Sequence, residues 1–317
     1  MNSVARIPNQ QDRWHLARQM AQQFGKSFGA LTTSGTAALD LALAYLDIQP
    51  GDRVGIPAIG CHEIGAAVIR RHATPVTLPV DDTLCLTPES VRAGSEHRLS
   101  ALVAVHPYGI KCDLSKLRQA LPPKVRIIED AAQVLPGPTH SEPSDVTITS
   151  FGRGKPINLG EGGAAFANSR RLEALIDRWS GEQRKRAEPV LPLALSHFAI
   201  SPLERVWSQR MKARTEISER LGALGQDLLS ADLIERDRLA LLERDMPIML
   251  PIWCDAERES RLETRAVRMG LDICRPHPIS LPHLPMFDGL LIDACDGTAI
   301  AGNGNLILLD LRRLFAV

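Results

Sequence analysis

Between Arg53 and Ile128 short β-rich runs and helical runs alternate, and this alternation constrains the fold more than any other feature of the sequence. Arg53 to Ile56, Pro75 to Leu78, Leu99 to Val105 and Val125 to Ile128 read as strands, and His62 to Arg71 and Asp113 to Leu121 read as helices. The strand at Leu99 is apolar throughout, as expected of a strand covered on both faces. Strand and helix in alternation predict an α/β fold, a mostly parallel sheet between helices. In such sheets ligands sit beyond the carboxyl ends of the strands. The residues at those ends are therefore the candidates for chemistry.

At one of those ends stands S-F-G-R-G-K-P-I-N-L-G-E-G-G, Ser150 to Gly163, after the β-branched run Val146 to Phe151. Gly152, Gly154, Gly160, Gly162 and Gly163 let the backbone turn sharply around Lys155 and approach a ligand closely. A lysine held away from water loses part of its proton affinity and can condense with an aldehyde, of which pyridoxal phosphate is the obvious case. Taken alone, the stretch reads more commonly as a surface lysine in a glycine loop. A second strand end carries Glu129-Asp130-Ala131-Ala132-Gln133. A carboxylate such as Asp130 can keep a pyridine nitrogen protonated, and Gln133 can donate to a ring hydroxyl. The plain alternative is an acidic strand end capping the next turn. Further upstream, Ser34-Gly35-Thr36 precede Leu39, Leu43 and Leu46 at helical spacing. A helix start of this kind binds phosphate well, although a capped structural helix explains the same residues. The conjunction of the sites, rather than any one of them, favours cofactor chemistry.

The remaining sequence limits the partners. Its 317 residues, 44% apolar and 23% charged, suffice for one large and one small domain, placed at 1–170 and 171–317. Residues 11 to 24 read as an amphipathic helix. Beyond Asn168, Arg170 to Trp179 and Leu203 to Arg244 read as solvated helices. The apolar run Pro247 to Trp253, a charged helix from Asp255 to Met269, and strands at Leu271 to Cys274 and Asn305 to Leu311 suggest a small α+β domain. Lys plus Arg and Asp plus Glu both total 37, so no global field favours nucleic acid or an anionic membrane. No apolar run approaches the roughly 20 residues of a membrane helix. Six cysteines without a C-x-x-C pair, and no signal-like start, suggest the cytosol.

Together, S-G-T-A-A-L, P-A-I-G-C after G-D-R-V, H-P-Y-G, I-E-D-A-A-Q and S-F-x-x-x-K with E-G-G resemble, in order and spacing, the DegT/DnrJ/StrS family of sugar aminotransferases. The resemblance covers roughly residues 25 to 170 well and the rest in outline. It implies a fold-type I enzyme dependent on pyridoxal 5'-phosphate, usually a homodimer with its site at the subunit interface. Such enzymes pass an amino group, commonly from glutamate, to a keto sugar carried on a nucleotide. By position, the resemblance makes Lys155 the Schiff-base lysine, Asp130 the partner of the pyridine nitrogen and Gln133 the contact to the ring oxygen. Gly35, Thr36 and Ser150 match the phosphate site. Relatives with histidine in place of the lysine act as dehydratases, so Lys155 implies transamination.

Three departures accompany it. Cys61 stands where an aromatic residue commonly covers the cofactor ring, leaving that role to Cys61 itself or to His62. Pro156 follows the lysine where asparagine is common. The chain is also shorter than typical members at both ends, which leaves the sugar, the carbon position and the stereochemistry open. Two other functions compete. A lyase or amino acid aminotransferase of the same fold would want an arginine for a free carboxylate, with Arg153 and Arg275 as candidates that read equally as solvated arginines. A degenerate homologue would bind cofactor without turnover.

Overall fold

The computed structural model describes residues 10–137, 143–186, 200–276, 280–295 and 305–315. In chain order the first part comprises α1 (Gln10–Gln22), β1 (Phe28–Thr32), α2 (Gly35–Tyr45), β2 (Arg53–Pro57), α3 (His62–Arg70), β3 (Thr74–Leu78), α4 (Pro88–Ala93), β4 (Ala101–Val105), α5 (Leu114–Ala120), β5 (Arg126–Asp130), β6 (Val146–Ser150) and β7 (Gly163–Ala167). There follow α6 (Arg171–Arg186), α7 (Ile200–Ser230), α8 (Arg236–Asp245), β8 (Met249–Cys254), α9 (Ala256–Arg268), β9 (Asp272–Cys274), β10 (Ile292–Asp293) and β11 (Asn305–Asp310).

An eight-stranded sheet runs in the order β1-β7-β6-β5-β4-β2-β3-β10. Every pairing from β10 to β6 is parallel, and β7 alone runs against its neighbours β6 and β1. The alternating side chains of the strands divide between the two faces. On β4, Ala101 and Val103 pack with α2 and α3, while Leu102 and Ala104 join the cluster formed with α5 and α7. On β7, Ala165 and Ala167 face the first of these layers and Ala164 and Phe166 face α1 and the start of α7. Phe24 of the α1 end stacks on Phe166 with ring centroids 5.1 Å apart. Both faces are thus covered, which explains the absence of polar alternation in these strands.

A smaller antiparallel sheet, β8-β11-β9, carries α9. The helix is capped by Asp255, whose side chain accepts the N–H of Arg258. The α/β class and the expected elements are observed, with differences that have physical causes. The region from Leu203 to Arg244, read as solvated, contains α7, whose Leu203, Trp207, Ile217, Leu221, Leu224 and Leu228 are buried. Most of its charges lie outside this apolar stripe, and Arg210 and Arg214, which interrupt it between Trp207 and Ile217, donate to the carbonyls of Phe315 and of Leu135 and Pro136; the density of charge masked the stripe. One buried cluster runs from β3 and β4 through α7 to β8 and β11, so residues on both sides of position 170 share a core. The two-residue strand β10 returns to the edge of the large sheet beside β3, and Thr77 Oγ1 donates to Asp293 there at 2.9 Å. A pairing so short leaves no periodic signature in sequence.

Candidate active site

The carboxyl ends of β1, β2, β4, β5 and β6 and the beginning of β7 lie along one edge of the large sheet, as the parallel and antiparallel registers require. The residues expected to form a phosphate site lie at the β1–β6–β7 part of this edge. Ser34 caps α2 in an extended conformation and accepts the N–H of Ala37 at 3.0 Å. The start of β7 presses against this cap. A Cβ on Gly163 would stand 2.5 Å from Ser34 O and 2.7 Å from the Gly35 nitrogen, so only glycine allows the approach. Gly35 in turn faces Ser150, whose Cβ would be 2.8 Å from a Cβ at position 35. Ser150 Oγ, at the end of β6, accepts the N–H of Gly152 at 3.3 Å. Gly35, Thr36 and Ser150 are thereby brought together at a helix N-terminus, where backbone N–H groups and the helix dipole favour an anion.

The lysine segment is a closed finger. Phe151 is fully buried beneath it, donates its N–H to Gly162 O and accepts that of Leu159, both at 2.8 Å. Gly152 bridges Gly160, and the Lys155 N–H reaches Gly152 O at 3.3 Å. Gly154, Gly160 and Gly162 have φ of 74°, 88° and 97°, left-handed values that carry strain in residues with a Cβ. Lys155 stands half-buried at the tip.

Asp130, the last residue of β5, is 8% exposed and accepts the Ala132 N–H at 3.0 Å. Burial pushes its carboxyl above the usual range; the Ala132 N–H and the Lys155 ammonium pull it back, and burial prevails. Lys155 is thus among the charges that act on the carboxylate. Gln133 uses its Oε1 to accept the N–H of Tyr108 at 2.8 Å, which leaves its amide N–H groups as the donating end. Tyr108 has φ of 56° and passes its own carbonyl to Ile248 at 2.7 Å, tying this edge to the smaller sheet.

Beside Asp130, Glu129 points into the protein and is fully buried. His106 Nδ1 accepts the N–H of Cys112 at 3.0 Å, so the ring proton lies on Nε2 and is donated to Glu129 Oε1 at 3.0 Å. Thr147 and Ser144 donate to the other oxygen at 2.6 and 3.0 Å.

Cys61 and His62 lie beyond β2, farther along the edge. Cys61 occupies the N-cap of α3 without a side-chain bond, and His62 opens the helix. The His62 side chain is 52% exposed, with Nε2 3.5 Å from Glu63. Of the candidate arginines, Arg153 is exposed in the lysine finger, whereas Arg275 is committed to Glu259 and Glu263. Arg312 went unnoticed in the sequence: a Cβ on Gly154 would stand 3.0 Å from its Nη1. It follows the last strand, 157 positions after Lys155, and no local pattern marks it. Among the described residues no group of three or more His, Cys, Asp or Glu side chains could hold a metal ion. No described helix is long and apolar enough to cross a membrane.

The fold recurs in solved structures. 3-Amino-5-hydroxybenzoic acid synthase superposes with a TM-score of 0.74 at 24% identity, over 96% of this chain and 86% of that one. NtdA from Bacillus subtilis, solved with bound cofactor PMP, gives 0.71 at 21% identity, over 95% and 76%. In sequence, the chain is 35% identical over 179 residues to L-glutamine:2-deoxy-scyllo-inosose aminotransferase of Streptoalloteichus tenebrarius, covering 53% of this chain and 41% of the relative. It is 33% identical over 166 residues to UDP-N-acetyl-3-dehydro-alpha-D-glucosamine 3-aminotransferase of Acidithiobacillus ferrooxidans, covering 50% and 45%. The matches thus span less than half the length of either relative. Residues 9–226, a stretch that contains Gly35, Ser150, Asp130 and Lys155, match the model of one family, and the chain belongs to the DegT/DnrJ/EryC1/StrS aminotransferase family.

Proposed function

We propose that the protein is a pyridoxal phosphate-dependent aminotransferase that moves an amino group from an amino acid donor, glutamate or glutamine, to a keto sugar or a cyclic keto polyol. The observation that carries this reading is the convergence of Lys155, buried Asp130 and the α2 start with Ser150 on one sheet edge. The donor set fits the cofactor's chemistry: an anion to be neutralised, a ring nitrogen to be kept protonated and an aldehyde to be held by an amine. Gly35, Thr36 and Ser150 would hold the phosphate, Asp130 the ring nitrogen and the amide N–H of Gln133 the ring oxygen. Cys61 and His62 would cover the ring; the imidazole now turned to Glu63 would swing inward to do so.

When bound, the cofactor supplies an electron sink for the substrate carbon. The protein's own residues do the rest. Lys155 would hold the cofactor, and its free amine would take up and return the proton that moves at the substrate carbon. Asp130, nearly excluded from water, would fix a positive charge on the ring nitrogen more strongly than an exposed carboxylate could. His106, Thr147 and Ser144 hold Glu129, and through it the end of β5 from which Asp130 projects. Transfer in two halves predicts ping-pong kinetics. A homodimer completing the site from both subunits, and a reducing compartment, belong to the same proposal. The six free cysteines support the latter. Glutamate and glutamine offered with a panel of free and nucleotide-linked keto sugars test it. Keto acid released in step with an aminated sugar is the expected result, and release without any aminated acceptor would reject it.

A further inference from the structure

Arg312 opens the 3-10 turn Arg312–Phe315 immediately after β11. Asp310, the last residue of that strand and 7% exposed, grips it closely. The Arg312 backbone N–H donates to Oδ1 at 3.0 Å, Nε to Oδ1 at 2.9 Å, and Nη2 to Oδ2. The Nε edge of the guanidinium is thereby used, and its plane is fixed. The opposite end rests on the lysine finger, since a Cβ on Gly154 would come within 3.0 Å of Nη1. Glycine at 154 therefore satisfies two demands, a φ of 74° and room for the guanidinium. Among the described residues no acceptor meets Nη1. A guanidinium has five N–H donors, and those remaining on Nη1 and the outer side of Nη2 form a second fork. That fork lies against the residue preceding Lys155.

A fixed planar fork suits a carboxylate, which it binds through two parallel hydrogen bonds. Like Arg312, whose side chain is 44% exposed, the other two arginines considered for this task reach solvent, but Arg275 is occupied by two glutamates and among the described residues nothing orients Arg153 as Asp310 orients Arg312. We propose that Arg312 binds the carboxylate of the amino donor, with Asp310 as its positioning residue. The inference rests on the function proposed above, which requires a donor bearing a carboxylate within reach of Lys155.

Glutarate, a dicarboxylate without an amine, tests binding apart from turnover. Calorimetric titration of the cofactor-loaded protein should give a dissociation constant raised about 10- to 100-fold in Arg312→Gln, the loss expected for a charged hydrogen-bonded pair. Arg312→Lys, which preserves the charge and a bond to Asp310 but not the fork, should lie between. The KM for glutamate should rise with the glutarate constant while the KM for the keto acceptor stays put. Pyridoxal phosphate retention should be unchanged in both variants. Unchanged glutarate affinity in both variants, or no glutarate affinity in the wild type, overturns the assignment. So does a loss of cofactor affinity as large as the loss for glutarate, which would make the cofactor phosphate the anion recognised. Should the wild type transfer no amine at all, the proposed function falls, and the glutarate titration still decides the role of Arg312.

Discussion

Asp130→Asn should raise stability and destroy turnover at once. The carboxyl is 8% exposed, and burial holds its pKa above the ordinary value despite the Ala132 N–H and the Lys155 ammonium. A group whose pKa is higher in the folded state binds more protons folded than unfolded, so its contribution to stability falls as pH rises. The loss begins near the unfolded aspartate value, about 4, and is complete above the raised folded value. Asparagine is almost the same size, still accepts the Ala132 N–H through its Oδ1, and carries no charge to desolvate. Removing a buried charge in this way stabilises by about 1–2 kcal/mol, or roughly 2–4 °C in Tm per kcal/mol for a chain of this size class. Thermal melts of the cofactor-free proteins at pH 7 should therefore favour the variant, and the two curves should converge toward pH 3. Transfer from glutamate should fall by about 100-fold or more, because a neutral amide cannot hold the ring nitrogen protonated. Retained phosphate contacts should leave cofactor binding nearly intact. Turnover within a few-fold of wild type would refute the electrostatic role, and a less stable variant at pH 7 would refute the desolvation argument.

Two further outcomes follow from the same edge of the sheet. Borohydride reduction of the cofactor-loaded protein and peptide mapping should place the label on Lys155, with Lys155→Ala inactive; label on another lysine would reject the assignment. Gly163→Ala should cost about 1–3 kcal/mol, since its Cβ would meet Ser34 O at 2.5 Å with no flexible side chain to yield. Gly160→Ala, with open space around it but a φ of 88°, should cost about 1–2 kcal/mol and leave pyridoxal phosphate affinity intact. Equal cofactor affinity in the two variants, measured by titration, would show that the contact of Gly163 with the α2 cap does not shape the phosphate site.

The parallel sheet was legible because β2 to β6 and most of the helices between them announce themselves locally, whereas β1, α4 and β7 were not read from the sequence. Val54 and Ile56, Leu102 and Val103, or Ile127 and Ile128 are apolar over a few consecutive positions, and Gly, Asp or Ser marks the turns. The site residues on the sheet edge were legible for the same reason: Asp130 and Ser150 end strands, Gly35 begins a helix, and Lys155 is framed by glycines. Arg312 was not, because its meaning comes from Gly154, a contact across about half the chain. The buried face of α7 was obscured by the density of charge along the helix, Arg210 and Arg214 on its packed side included, and β10 by its length. His62 shows a different limit, as its position at the start of α3 was evident while the orientation of its ring toward Glu63 depends on a rotamer.

Glu129 and Asp130 show how one strand can give two adjacent carboxylates opposite tasks. Successive residues of β5 point to opposite faces, so the pair cannot share a ligand. Glu129 turns inward, where Thr147 on β6, Ser144 before it and His106 after β4 surround it with donors. Those donors come from three neighbouring segments of the sheet edge, and the His106 ring is itself oriented by the Cys112 N–H. These bonds tie Glu129 to the segment after β4 and to the start of β6, and so hold the end of β5 in place. Asp130 has one N–H and the field of Lys155, too little to offset its burial. The difference bears on the proposed function: a carboxylate bonded by three protein donors has less to offer a ligand, whereas one with a single N–H at a strand end would bind a protonated ring nitrogen more strongly. The sequence I-E-D thus separates the charge that fixes the edge from the charge that does chemistry.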